Sequence, residues 1–152
     1  MTTTPGARGA TRGNLGFLLA KASQRWNELL WAGFSEHGFG EVRPSYGSVL
    51  VPLFEEDGLR MGEIAKRSRL SKQTMTTMVR LAERDGLVVR EGDPDDARAT
   101  RVRLSDRARA FAPVAERVLA QLDRQVVAEL GERDRQTVIA SLSKLADLGR
   151  KE

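Results

Sequence analysis

The chain has 152 residues, 40% of them apolar and 30% charged, with 25 basic against 21 acidic side chains, a single histidine and no cysteine. That length suits one domain with its own core, and the lack of cysteine excludes disulfides, thiol redox sensing and cysteine-held metal. The longest apolar run, VLVPLF at 49–54, is far below the ~18 residues that span a bilayer, so the expected setting is cytoplasmic and away from membranes.

Residues 1–13, MTTTPGARGATRG, lack the apolar stretch of a signal peptide and read as a disordered, mildly basic tail. The remainder, 14–150, reads as a single domain. Asn14 predicts the N-cap of a helix running to about Phe34, whose apolar side is Leu15, Leu18, Leu19, Ala22, Trp26, Leu29 and Leu30. GFSEHGFGEVRP is a loop. Pro44 stands near the start of a second helix carrying Val49, Leu50, Leu53 and Phe54, and Gly58 ends it.

Two short helices follow, at roughly 62–68 and 71–85, separated by Arg69 and Leu70. After Gly86 the period changes to that of strands. In ATRVRL, Thr100, Val102 and Leu104 alternate with Arg101 and Arg103; LVVRE is its partner. GDPDDAR between them has the Gly, Pro and Asp of a hairpin loop. Ser105 caps a long helix to about Glu129, and a last helix spans about Glu132 to Leu148. Pro113 removes a ladder bond inside the long helix, which predicts a kink there or a later start. Pro52 poses the same question in the second helix. The class is mainly α with a small β-hairpin.

The helix at 71–85 carries the functional signal. Ser71 is its N-cap, and Met75, Met78, Val79 and Ala82 form one side, facing the core. Gln73, Thr77, Arg80 and Arg84 lie opposite, with Thr76 on the flank. Solvated helix faces favour Glu, Lys and Ala, whereas Thr is a poor helix former. Gln pairs with adenine, Arg with guanine, and the Thr methyl packs on the thymine methyl. This face therefore suits a DNA major groove. Ser71 and Lys72 at the helix start suit a phosphate, and Lys66, Arg67 and Arg69 on the preceding helix and turn suit the duplex backbone. From Leu59 to Leu104 there are 11 basic against 7 acidic residues, while the rest balances at 14 against 14, so the whole net charge of +4 lies in this segment. A helix-turn-helix followed by a hairpin is a winged helix, spanning about 43–104. Arg98 at its tip suits a minor groove, with Asp96 paired to Arg98 or a nearby Arg to hold the tip's shape, and Arg101 on the adjoining strand. The other reading of the hairpin is a solvated turn whose charges contact nothing.

The segment MGEIAKRSRLSKQTMTTMVRLAERDGLVVREGDPDDARATRVRLS resembles the core of MarR-type (multiple antibiotic resistance regulator) transcription factors. Its EIA…LS approach to the second helix, its GLV-x-R exit and its D-x-R-x-x-x-V-x-L-S wing carry the likeness, which extends over about 14–148. The resemblance implies a homodimeric, DNA-binding repressor, often released by a small ligand. By motif position it implies Ser71, Gln73, Thr76, Thr77 and Arg80 in the major groove and Asp96 and Arg98 in the wing.

The outer helices, at about 14–34 and 105–148, point to a dimer independently. Phe111, Ala115, Val118, Leu122 and Val126 form a stripe, and Val138, Ile139, Leu142, Leu145 and Leu148 form another. That is more apolar surface than a small winged core covers, so a second copy is expected; an intramolecular bundle with the first helix is the alternative. Trp26, Trp31, His37, Arg43 and Tyr46 cluster around the first loop, where resemblance to the family places ligand pockets, and they suit a small aromatic or anionic effector. No cofactor or metal is expected, since one histidine and no cysteine make a poor ligand set. Enzymatic activity is not expected either. The competing function is a winged-helix protein-interaction module that never reads DNA.

Overall fold

The computed structural model describes residues 13–150, so the expected tail falls outside it except for Gly13. Along the described residues run α1 (Leu15–Glu36), a 3-10 turn (Pro44–Tyr46), α2 (Gly47–Glu55), β1 (Leu59–Arg60), α3 (Met61–Arg67), α4 (Lys72–Arg84), β2 (Val88–Asp93), β3 (Asp96–Leu104), α5 (Asp106–Leu130) and α6 (Glu132–Ala146). They group into two compact units, one ending at Ala115 and the other beginning at Glu116.

In the first unit three helix starts have a sequence-encoded cap. The Asn14 side chain accepts from the Phe17 N–H at 3.2 Å and the Ser71 hydroxyl from Thr74 N–H at 3.1 Å. Ser105 accepts from Ala108 N–H at 3.2 Å. These contacts satisfy N–H groups that the helix itself leaves without partners. Pro52 stays within α2. It cannot bond the Ser48 carbonyl one turn back, and the Ser68 hydroxyl from the end of α3 donates to that carbonyl instead. Pro113 likewise lies inside α5, which starts at Asp106 and not later.

Three strands form an antiparallel sheet in the order β1-β3-β2, with Leu59 opposite Val102 and Val102 opposite Arg90. β1 has two residues and no periodicity to betray it, so only the hairpin was legible. β2 and β3 also reach further into GDPDDAR than expected, leaving Pro94 and Asp95 as the turn, with a bulge at Gly92/Asp93. The inner sheet face and the helices share one core. Val49, Ile64, Met75, Val79, Ala82, Leu87 and Val102 are all fully buried in it. Phe111 of α5 meets Phe34 edge-on at 4.7 Å between ring centroids and Phe39 at 5.4 Å.

In the second unit, Gly131 at φ +83 turns the chain from α5 into α6. Arg135 Nε donates to Asp123 Oδ1 at 2.5 Å and ties the two helices together. No residue of α6 is buried. Val138, Ile139, Leu142 and Leu145 are 37–52% exposed along one helix side.

Candidate nucleic-acid interface

The α3–α4 turn sets the geometry of the site. Leu70 N–H bonds to the Ala65 carbonyl and Arg69 N–H to the Lys66 carbonyl, at 3.0 and 3.2 Å. This is the Schellman pattern, which needs a left-handed residue just past the helix. At the end of α4 that residue is Gly86, at φ +79, but after α3 it is Arg69, at φ +54. A side chain is thus kept where glycine would be relaxed.

On α4, Met75, Val79 and Ala82 are buried, and Met78, expected on the same side, is half-buried. Ser71, Lys72, Gln73, Thr77 and Arg80 are exposed and Thr76 is half-buried, so the sequence-derived faces are the real ones. The threonine hydroxyls turn inward: Thr76 Oγ1 donates to the Lys72 carbonyl at 2.8 Å and Thr77 Oγ1 to the Gln73 carbonyl at 3.3 Å. With the hydroxyls satisfied by backbone, the methyls are the groups left for an outside contact. Lys66 is exposed before the turn, whereas Arg67 is held by Glu56 and Glu63 at 2.6 and 3.2 Å.

In the wing, Arg98 has 96% of its side chain accessible. Asp96 accepts from the Arg98 N–H at 3.0 Å, and its carboxylate lies 3.8 Å from Arg98 Nε, so it braces the tip more through backbone than through charge. Arg101 is engaged within the sheet. Its Nε donates to Asp93 at 3.0 Å and its Nη1 to the Gly58 carbonyl at 2.9 Å, so two of its three nitrogens serve the sheet. Asp93, whose side chain is fully inaccessible, also takes Arg60 Nε at 2.6 Å and the Asp95 N–H at 2.8 Å. The Asp95 N–H, helped by Arg60 and Arg101, holds its carboxyl below the ordinary range despite burial. Asp93 and Arg60 do not stand out in the sequence. Asp93 looked like one of three similar turn aspartates, and Arg60 lies on a strand too short to detect. Between α4 and the wing opens a cleft of about 380 Å³, lined by Arg60, Glu63, Lys72, Thr76, Arg90 and Arg98 among others.

The expected ligand residues are only partly gathered. A shallow cavity of about 510 Å³ is lined by Trp31, Gly40, Glu41, Arg43, Pro44 and Asp85. Of the four residues chosen from sequence with Trp31, Arg43 lines it. Tyr46 is buried and donates its hydroxyl to Asp85. Trp26 and His37 are not part of the lining; His37 Nδ1 contacts the Gly33 carbonyl at 2.8 Å. Burial, and then the Asp85 carboxylate, raise the Tyr46 phenol. Arg84 and then Tyr46 hold Asp85 below its usual value. Asp85 is also the C-cap of α4, so this cavity touches the end of the helix that carries the exposed Gln-Thr-Arg face.

Residues 49–99, from α2 to the wing tip, match the family model described as MarR family. The chain is 31% identical over 117 residues to an HTH-type transcriptional repressor of Mycobacterium bovis, a match covering 68% of this chain and 84% of that protein. It belongs to the MarR family of DNA-binding transcriptional regulators. An HTH-type transcriptional regulator of Bacillus subtilis is 30% identical over 98 residues, which is 64% of this MarR chain and 62% of the length of that relative. In fold, this MarR protein is similar to the transcriptional repressor CouR bound to a 23-mer DNA duplex, with TM-score 0.75, 24% identity, and coverage of 96% and 99% of the two chains. The family match includes α4 and the wing tip through Ala99. It excludes α1, α5 and α6, whose lengths and order the fold likeness covers.

Proposed function

We propose that this MarR regulator represses transcription as a homodimer on a pseudo-palindromic operator and is released by a small aromatic or anionic effector. The observation that carries the DNA reading is the exposed face of α4, Gln73, Thr77 and Arg80 with Thr76 on its flank, set across a basic cleft from Arg98. Gln73 and Arg80 read base edges, and the methyls of Thr76 and Thr77 pack on thymine. Ser71, Lys72, Lys66 and Arg69 contact phosphates. Arg98, braced by Asp96, enters the adjacent minor groove, where a narrow groove concentrates negative potential.

The dimer reading is supported by the unburied apolar side of α6 and by Leu15, Phe17, Leu18 and Leu19 of α1, each 37–60% exposed. Stripes of this kind on two terminal helices fit a second copy with the same stripes. For the effector, the cavity beside Trp31 and Arg43 offers an aromatic wall and a cation. The protein then acts in the cytoplasm as a binding protein without cofactor or catalysis.

The test is footprinting and fluorescence anisotropy on the DNA upstream of the protein's own gene. The expected result is protection of two half-sites about one helical turn, ~10 bp, apart or a small multiple of it. Binding that is indifferent to sequence and vanishes at physiological salt would refute the reading.

A further inference from the structure

We propose that Arg60 is a further DNA-contacting residue, placed on the phosphate strand between the two grooves, and that Asp93 positions Arg60 and the wing together. This rests on the DNA-binding reading above.

An awkward pairing lies in β1. β1 has only two paired positions, and one of them sets Arg60 directly opposite Arg101. Like charges opposed across strands destabilise a sheet. Asp93 is what makes the pair tolerable, for its Oδ2 takes Nε of both arginines, at 2.6 and 3.0 Å. Its Oδ1 takes the turn N–H of Asp95 at 2.8 Å. One inaccessible carboxylate thus links β1, β3 and the wing turn. Two arginines on one carboxylate still leave a surplus positive charge. Sheet closure alone needs no such surplus, since one arginine or an apolar pair would serve.

The surplus belongs to Arg60. Arg101 spends its Nη1 on the Gly58 carbonyl, whereas Arg60 keeps 46% of its side chain accessible and lines the cleft between α4 and the wing. A protein with a helix in the major groove and a wing in the neighbouring minor groove must straddle the sugar-phosphate strand that separates them. That strand passes through the cleft, where Arg60, Lys72 and Arg98 meet it and Glu63 is kept by Arg67 at 3.2 Å. An anionic strand is the partner that this charge fits.

The experiment measures anisotropy of a labelled operator duplex over a salt series, for the full chain and its variants. Arg60→Ala should flatten the negative slope of log affinity against log salt by about 0.9 for each phosphate no longer neutralised, so by up to ~1.8 for a dimer. The ranking of operator variants should stay the same. Arg60→Lys, which keeps the charge, should restore most of the slope. Asp93→Asn should weaken binding and flatten the slope by more than Arg60→Ala, although it removes a negative charge. In that background Arg98→Ala should cost less than it does alone, because the wing tip is already unanchored. An unchanged slope in Arg60→Ala, or tighter binding by Asp93→Asn, overturns the proposal. Should Asp93→Asn fail to fold, the Arg60 pair of variants decides. Failure of the unmodified protein to bind any duplex would overturn the regulator reading itself, whereas normal binding unaltered by Arg60→Ala overturns this inference alone.

Discussion

Arg69 adopts φ +54, a region in which an L side chain costs roughly 1–2 kcal/mol. Glycine avoids that cost but gives back part of the gain as unfolded-chain entropy. Arg69→Gly should therefore stabilise the fold by roughly 0.5–1 kcal/mol, read by urea melts, while weakening DNA binding. A variant that is both more stable and fully active would show that the strain has no functional return. The residues proposed to read bases behave differently. Gln73 and Arg80 are exposed on α4 and support nothing in the core. Gln73→Ala and Arg80→Ala should leave the melting temperature unchanged and reduce discrimination at single operator positions by roughly 1–3 kcal/mol. Unaltered base preference in both would place the reading face elsewhere.

At the level of elements, the wing and the junctions around it depend on carboxylates. Arg98→Ala should weaken binding to every sequence and leave major-groove preferences intact, because the minor groove distinguishes little beyond A·T from G·C. Asp96→Ala should weaken binding too, through loss of the 3.0 Å bond to the Arg98 N–H, even though removing its charge favours DNA. Gel-shift titration of the two variants separates bracing from electrostatics by sign. Asp57 ties the end of α2 to the sheet and α5, accepting from Gly58 N–H at 2.9 Å and Leu104 N–H at 2.8 Å with Arg109 at 3.2 Å. Burial pushes its pKa up, yet the Leu104 and Gly58 N–H groups and Arg109 outweigh it, and the folded value is lowered. The unfolded chain then binds more protons in acid. Stability from Asp57 is complete above the ordinary carboxylate value of about 4 and is lost as pH falls through the lower folded value. Thermal melts should show a falling acid limb that Asp57→Asn flattens; an identical limb in that variant would assign the acid sensitivity to other groups.

For the whole molecule the decisive surface is the one the single chain leaves uncovered. Leu142 and Leu145 are 45% and 37% exposed on α6, within a side that continues through Val138 and Ile139. Leu142→Asp with Leu145→Asp should convert a micromolar dimer into monomers, since paired interface carboxylates would have to be desolvated. The half-site footprint should then collapse together with the dimer. Light scattering of the unmodified protein decides the premise: a stable monomer there rules out a symmetric operator.

Local chemistry alone determined the caps at Asn14, Ser71 and Ser105, the buried and exposed sides of α4, and the change of period into the hairpin. Each depends on neighbours within one or two turns of chain, so each was visible in residue order. The charged network was not. Arg101 looked like an outward strand residue, but it finds Asp93 and, 43 positions away, the Gly58 carbonyl. Arg60 and Asp93 are 33 positions apart, and strand β1, which brings them together, has only Leu59 and Arg60. Two residues cannot show a period, and no spacing rule links an arginine to a carboxylate across three strands. Trp26, His37, Arg43 and Tyr46 shared a neighbourhood in sequence, yet only side-chain direction in the folded chain chose Arg43 for the cavity and sent the Tyr46 hydroxyl to Asp85. Which ion satisfies which is decided by tertiary packing, because a buried charge takes the partner that geometry brings within hydrogen-bond reach.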